Sequence, residues 1–86
     1  MSRHEEMLPI AVVETGCPDG KGGTYCRAFL EGWVLNAAGD EKYDLSGHKP
    51  SGATPVQALA NLRRMLVDFG LRPQFQLTAE IRAHKP

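Results

Sequence analysis

The sequence has no long hydrophobic run. None of its segments approaches the roughly 20 consecutive apolar residues that an α-helix needs to cross a bilayer. Near its start, Glu5 and Glu6 stand where a secretory signal peptide carries positive charge. We therefore expect a cytoplasmic protein that does not insert into a membrane.

The sequence also lacks an excess of either charge. Its 10 basic and 10 acidic residues are well mixed and give a formal net charge of zero. Nucleic-acid phosphates are bound largely through clusters of basic residues, so this balance argues against strong non-specific binding of DNA or RNA. The 42% hydrophobic content is typical of a folded domain rather than a disordered chain. We expect one small domain over residues 1–86, with residues 1–6 flexible.

Cysteine and histidine are scarce and are not clustered along the chain. Eight residues separate Cys17 from Cys26, and His4, His48 and His84 are scattered. Structural zinc sites usually draw about four ligands from closely spaced pairs, so the sequence predicts no metal site. No Ser/His/Asp or Cys/His set can be assembled, and we expect neither catalytic residues nor a cofactor. In the cytoplasm both thiols are expected to stay reduced, although a hairpin would bring them close together.

The segment TGCPDGKGGTYC, residues 15–26, is rich in glycine but lacks the pattern of a phosphate-binding loop. That pattern has four residues between its glycines and a hydroxyl residue directly after its lysine. Here only three residues separate Gly16 from Gly20, and Gly22 follows Lys21. The tripeptide PDG is instead typical of a turn, and the segment is predicted to connect two strands of a hairpin.

The hydrophobic pattern predicts an α+β fold with the element order β-β-β-α-β. Residues 7–15, 24–36 and 41–47 are expected to form an antiparallel meander. Alternating polarity over residues 75–83 predicts a fourth, half-buried strand, with Ile81 and Ala83 on its apolar side. One amphipathic helix is expected to pack on one face of this antiparallel sheet.

The helix has clear start and stop signals. Thr54 is a favourable N-cap, Pro55 fits the first helical position, and Gln57 completes a capping box. Gly70 is suited to the position just after the helix. The predicted buried stripe consists of Leu59, Leu62, Leu66 and Phe69, flanked by Ala58 and Met65.

Alternation along the second predicted strand separates two kinds of side chain. One set is small or aliphatic and provides a seat for the helix: Cys26, Ala28, Leu30, Gly32 and Val34. The other set points away from the helix and, joined by one residue of the third strand, defines the predicted binding surface: Tyr25, Arg27, Phe29, Glu31, Trp33 and Tyr43. Exposed apolar patches usually mark interfaces, and Trp, Tyr and Arg are enriched in binding hot spots.

Three interpretations of this surface remain open. A bulge at Gly32 would change the alternation and place the rings in the core. Contact with a protein partner, including a second copy of the chain as a homodimer, would keep them exposed. A base-stacking platform would use the same rings with Lys42, Arg63 or Arg64 to bind RNA or DNA.

Residues 52–61, GATPVQALAN, resemble the phrase G-x-T-x-x-x-A-L-x-N that opens a helix in HicB-like antitoxins. The matching positions are Gly52, Thr54, Ala58, Leu59 and Asn61. The resemblance implies a module that binds a partner or nucleic acid without catalysis. In size and layout the chain is also similar to small phage-encoded inhibitors of bacterial defence, including anti-CRISPR proteins.

The sequence therefore favours a non-enzymatic protein-binding module that acts through the predicted binding surface. The two resemblances imply an inhibitor or an antitoxin-like adaptor encoded by a phage or a mobile element. The alternative is a small nucleic-acid-binding protein.

Overall fold

The computed structural model describes residues 9–73 and 80–84, which form one helix and six strands. The elements are β1 Ile10–Pro18, β2 Thr24–Glu31, β3 Trp33–Leu35, β4 Lys42–Asp44, β5 Ser51–Gly52, α1 Pro55–Asp68 and β6 Glu80–Ala83. The predicted α+β class is confirmed. Residues 1–8 and 74–79, which include the expected flexible segment and parts of the first and last predicted strands, lie outside the described residues.

The strands form two sheets instead of one meander. A four-stranded sheet has the order β5-β2-β1-β6, and β3 pairs with β4 in a separate two-stranded sheet. β2 runs antiparallel to β1 and β5, but β6 runs parallel to β1. The sheet is therefore mostly antiparallel, as predicted, and its last strand is the parallel exception.

The long second strand predicted for residues 24–36 is broken at Gly32. This glycine has a φ of +113°, which side-chain-bearing residues rarely adopt, and a Cβ there would lie 3.3 Å from Cα of Pro9. The chain turns at this point, so β3 leaves the main sheet and pairs with β4. The strand predicted for residues 41–47 is thus the partner of β3 rather than of β2.

α1 begins and ends where its sequence signals predict. The Thr54 hydroxyl accepts a hydrogen bond from the backbone N–H of Gln57 at 3.1 Å, and Pro55 is the first helical residue. Gly70 follows the C-cap with a φ of +73°. At 14 residues α1 is too short to cross a bilayer, and the described parts of the chain contain no longer helix.

The core lies between α1 and one side of the four-stranded sheet, which we call the helix face. The cluster of buried side chains on and around this face consists of Ala11, Val13, Cys26, Ala28, Leu30, Val34, Leu45, Ala58, Leu62, Leu66 and Leu71. The predicted alternation of β2 is confirmed, because Cys26, Ala28 and Leu30 belong to this cluster. The helix stripe was wrong at one position, since Phe69 caps the helix and is 51% exposed.

Two turns depend on the side chains that their sequences offer. Asp19 Oδ1 accepts hydrogen bonds from the backbone N–H groups of Lys21 and Gly23 and closes the β1–β2 hairpin, as the PDG tripeptide predicts. Asn36 Oδ1 accepts from the N–H groups of Gly39 and Asp40 between β3 and β4. Both turns hold short connections in fixed conformations.

Candidate functional site

The structure divides the predicted binding surface into two regions. We call the side of the four-stranded sheet opposite α1 the far face. Three of the six predicted residues, Arg27, Phe29 and Glu31, lie on β2 with their side chains on the far face, and the half-buried Tyr25 lies at the end of the same row. Trp33 and Tyr43 lie on the separate β3–β4 hairpin.

Phe29 is buried, and the expectation that its ring is exposed was wrong. Only 8% of the residue is accessible, and its cross-strand neighbour Val12 is fully buried. The Lys49 ammonium lies 4.7 Å from the centre of the Phe29 ring, a cation–π contact that keeps the charge near solvent. Val12 and Phe29 therefore form the apolar centre of the far face, and the Lys49 side chain lies over the Phe29 ring.

Trp33 and Tyr43 are both exposed, at 57% and 39%. Trp33 is paired with Asp44, whereas Tyr43 is paired with the buried Val34. Because paired residues share a face, the two rings lie on opposite sides of the hairpin and do not form one patch. The Tyr43 hydroxyl donates a hydrogen bond to Glu41 at 2.6 Å, which raises the pKa of Tyr43 above its ordinary value.

Ion pairs flank the apolar centre of the far face. Arg27 Nε donates to Glu14 Oε1 at 2.5 Å, and this hydrogen bond holds the pKa of Glu14 below its ordinary value. Arg82 bridges Glu80 at 2.7 Å and Glu31 at 3.2 Å. The hydrogen bond to Glu80, followed by that to Glu31, raises the pKa of Arg82. The arginines of the far face are thus neutralised by carboxylates and do not form a basic patch.

A β-bulge brings Cys17 onto the far face. The β1–β2 register passes from Glu14 opposite Arg27 to Cys17 opposite Tyr25, so β1 contains one extra residue. Gly16 supplies the required positive φ of +72°. In a regular strand the side chains of Glu14 and Cys17 would lie on opposite faces, but the bulge places both on the same face.

His84 reaches the same place from the other side of β1. β6 pairs with β1 in parallel, with Ala83 opposite Thr15, and the backbone N–H of His84 donates to the Thr15 carbonyl at 2.8 Å. Glu14, Arg27, Arg82, Ala83 and His84 line an open groove at this end of the sheet.

The imidazole of His84 carries an unsatisfied nitrogen. Its Nδ1 is buried and has no hydrogen-bond partner among the described residues. A buried polar atom without a partner costs about 1–3 kcal/mol, so this nitrogen is a candidate ligand atom. A carboxylate oxygen of Glu14, Sγ of Cys17 and an imidazole nitrogen of His84 all lie within 4.8 Å of one another.

Cys17 and Cys26 are both free thiols and lie on opposite faces of the sheet. Cys26 belongs to the core beneath α1, whereas Cys17 Sγ donates weakly to the Glu14 carbonyl at 3.8 Å. Their closeness in the hairpin therefore does not make them a disulfide pair.

Sequence reasoning missed the grouping of Glu14, Cys17 and His84. His84 is 67 residues from Cys17 in the sequence, and no local spacing links them. The one signal was Gly16 directly before Cys17, since a glycine inside a strand pattern often marks a bulge that redirects the next side chain.

No protein-family model, curated protein or solved structure matches the chain. The resemblance of residues 52–61 to HicB-like antitoxins therefore stays a prediction, as does the similarity in layout to anti-CRISPR proteins. In the structure this segment spans the end of β5 and the first half of α1.

Proposed function

We propose that the chain is a non-enzymatic protein-binding module that contacts its partner through the β3–β4 hairpin. The exposure of Trp33, at 57%, supports this proposal most directly. A tryptophan offers roughly 150–250 Å² for burial at about 25 cal/mol per Å², so leaving this fraction in water forfeits roughly 2–4 kcal/mol. A partner that covers the indole recovers that free energy.

The hairpin is held in place before any partner arrives. The Asn36 side chain fixes its turn, and the N–H of Ala37 donates to the Gly70 carbonyl at the end of α1. The N–H of Arg72 donates to the Leu35 carbonyl at 2.9 Å. Binding therefore requires little further ordering of the backbone, which favours affinity.

The charge around Trp33 indicates the kind of partner. Asp44 lies directly across from Trp33 and Lys42 lies on the same side of the hairpin, whereas Glu41 is hydrogen-bonded to Tyr43 on the opposite side. The indole is thus flanked by one acidic and one basic side chain, which favours a protein surface with an apolar recess bordered by charges of both signs. A rim of balanced charge attracts phosphates only weakly, and this argues against the nucleic-acid-binding alternative at the same surface.

The test compares Trp33→Ser with Val67→Ser, a matched control in which a 59% exposed apolar residue of α1 is replaced. The wild-type chain is used to capture partners from its host, and a captured protein is then purified and titrated. Hot-spot losses of 2 kcal/mol or more correspond to about 30-fold in affinity, and we expect at least this loss for Trp33→Ser and little change for Val67→Ser. Circular dichroism and thermal unfolding check that both variants are folded.

Other outcomes point to different conclusions. Equal affinity of wild type and Trp33→Ser would contradict the proposal. Capture of RNA or DNA in place of protein, weakening steeply with salt, would support the nucleic-acid alternative. Self-association in light scattering that is lost in Trp33→Ser would identify the partner as a second copy of the chain.

A further inference from the structure

Three side chains of types that bind transition metals converge at one end of the far face, away from the proposed binding hairpin. We propose that Glu14, Cys17 and His84 form a binding site for a Zn²⁺ ion. Their ligand atoms already lie within 4.8 Å of one another. The backbone assembles them through the Gly16 bulge and the parallel pairing of β1 with β6.

The donor set favours zinc over the common alkaline-earth ions. Zn²⁺ is borderline soft and is bound in proteins by thiolate, imidazole and carboxylate groups. Mg²⁺ and Ca²⁺ require oxygen ligands, and a site in which two of three donors are sulfur and nitrogen does not suit them.

The spacing requires only small side-chain movements. Zinc–ligand bonds of about 2.0–2.3 Å in a tetrahedron place the ligand atoms roughly 3.3–3.8 Å apart. The three ligand atoms, which lie within 4.8 Å of one another, must therefore approach by about 1 Å to bind the ion. Rotation of the half-buried Glu14 and His84 side chains closes this gap while the strands that carry them stay paired.

The unsatisfied nitrogen of His84 is an independent observation in favour of a ligand. Nδ1 is buried and lacks a hydrogen-bond partner among the described residues. Coordination of a cation by its lone pair would satisfy this atom without any rearrangement of the backbone. Neither Cys17 nor Glu14 hydrogen-bonds to it.

The surroundings of the three ligands suit a metal site. Arg27 donates to Oε1 of Glu14 and so orients the carboxylate, as residues behind metal ligands commonly do. The second guanidinium, that of Arg82, is neutralised by Glu31 and Glu80. The open groove beside His84 admits a water as the fourth ligand.

The test titrates the reduced, chelator-treated full chain with Zn²⁺ by calorimetry and with Co²⁺ by absorbance. We expect one ion per chain and a near-ultraviolet thiolate-to-cobalt charge-transfer band. Even the loss of a residue that orients a ligand lowers affinity about 10–100-fold, so Cys17→Ala and His84→Ala should lower it about 100-fold or more. The matched controls Cys26→Ala and His48→Ala remove a thiol and an imidazole elsewhere and should keep the wild-type affinity.

A measurement on the wild-type chain keeps the test decisive if a variant fails to fold. Zn²⁺ should slow the alkylation of Cys17 relative to the chelator-treated chain, and peptide mass mapping measures the rate at this residue. Equal alkylation rates with and without Zn²⁺, absence of the cobalt band, or unchanged affinity in His84→Ala would each overturn the proposal. If the chain binds Zn²⁺ but Trp33→Ser binds its partner as tightly as wild type, the proposed function fails and the zinc site stands.

Discussion

The two sides of the four-stranded sheet are built from alternate residues of the same strands, yet they differ in chemistry. The helix face carries Ala28 and Leu30, which pack beneath α1 in a cluster without buried polar side chains. The far face alternates apolar and charged groups, with Phe29 between ion pairs that include Arg27 and Arg82. The helix face is apolar, whereas the far face combines a buried apolar centre with titratable groups.

The largest expected effect tests the helix face. Leu62 is fully buried, and Leu62→Ala should lower the free energy of unfolding by about 2–5 kcal/mol, because it leaves a cavity in a packed core. Urea denaturation followed by circular dichroism measures the change. The half-buried Leu59 one turn earlier is the control, and Leu59→Ala should cost less. Similar losses at both positions would mean that the core is not centred on Leu62.

A smaller effect tests how closely α1 approaches the sheet. A Cβ on Gly52 would lie 2.6 Å from the backbone nitrogen of Ala58, so Gly52→Ala must push the first turn of α1 away from β5. Overpacking of this kind costs about 1–3 kcal/mol.

Gly47→Ala is the matched control, since nothing lies within 4 Å of a Cβ built there. Thermal unfolding of the two variants should therefore show a clear loss for Gly52→Ala alone. If Gly52→Ala is as stable as wild type, the helix does not lie as close to β5 as the structure shows.

The smallest expected effect tests the far face. The hydrogen bond from Arg27 depresses the pKa of Glu14, so the unfolded chain binds a proton at a higher pH than the folded chain. The resulting stabilisation is fully present above the unfolded pKa and is lost as the pH falls through the folded pKa. A partly exposed pair of this kind contributes up to about 1 kcal/mol.

Arg27→Met should therefore raise the pKa of Glu14, as measured by NMR of its carboxyl group. The free energy of unfolding of this variant should also fall less as the pH is lowered. Arg64→Met, on the exposed surface of α1, is the control and should leave both unchanged. An unaltered Glu14 titration in Arg27→Met would show that the pair does not form in solution.

Local signals in the sequence were sufficient for the helix and for the alternation of β2. Thr54, Pro55 and Gly70 act through contacts within one or two turns, and the helix begins and ends where they predict. Cys26 lies on the helix face as predicted, because alternation depends only on the backbone of its own strand.

The remaining features depend on contacts between distant segments. A Cβ at position 32 would lie close to Pro9, and nothing near Gly32 in the sequence shows this approach. Ile81 was expected to be buried but is 56% exposed, since β6 lies at the edge of the sheet formed by the described strands. The grouping of Cys17 with His84 requires both a bulge and a parallel pairing, and neither is encoded by spacing.

The parallel pairing of β1 with β6 also determines the order in which this protein can be assembled during translation. The β1–β2 and β3–β4 hairpins need only neighbouring residues, but the imidazole contributed by His84 is synthesised after all the other described elements. Closing so long a loop costs more chain entropy than forming a hairpin and is therefore slower. A nascent chain would therefore expose Cys17 to oxidants and to solvent until the last strand docks.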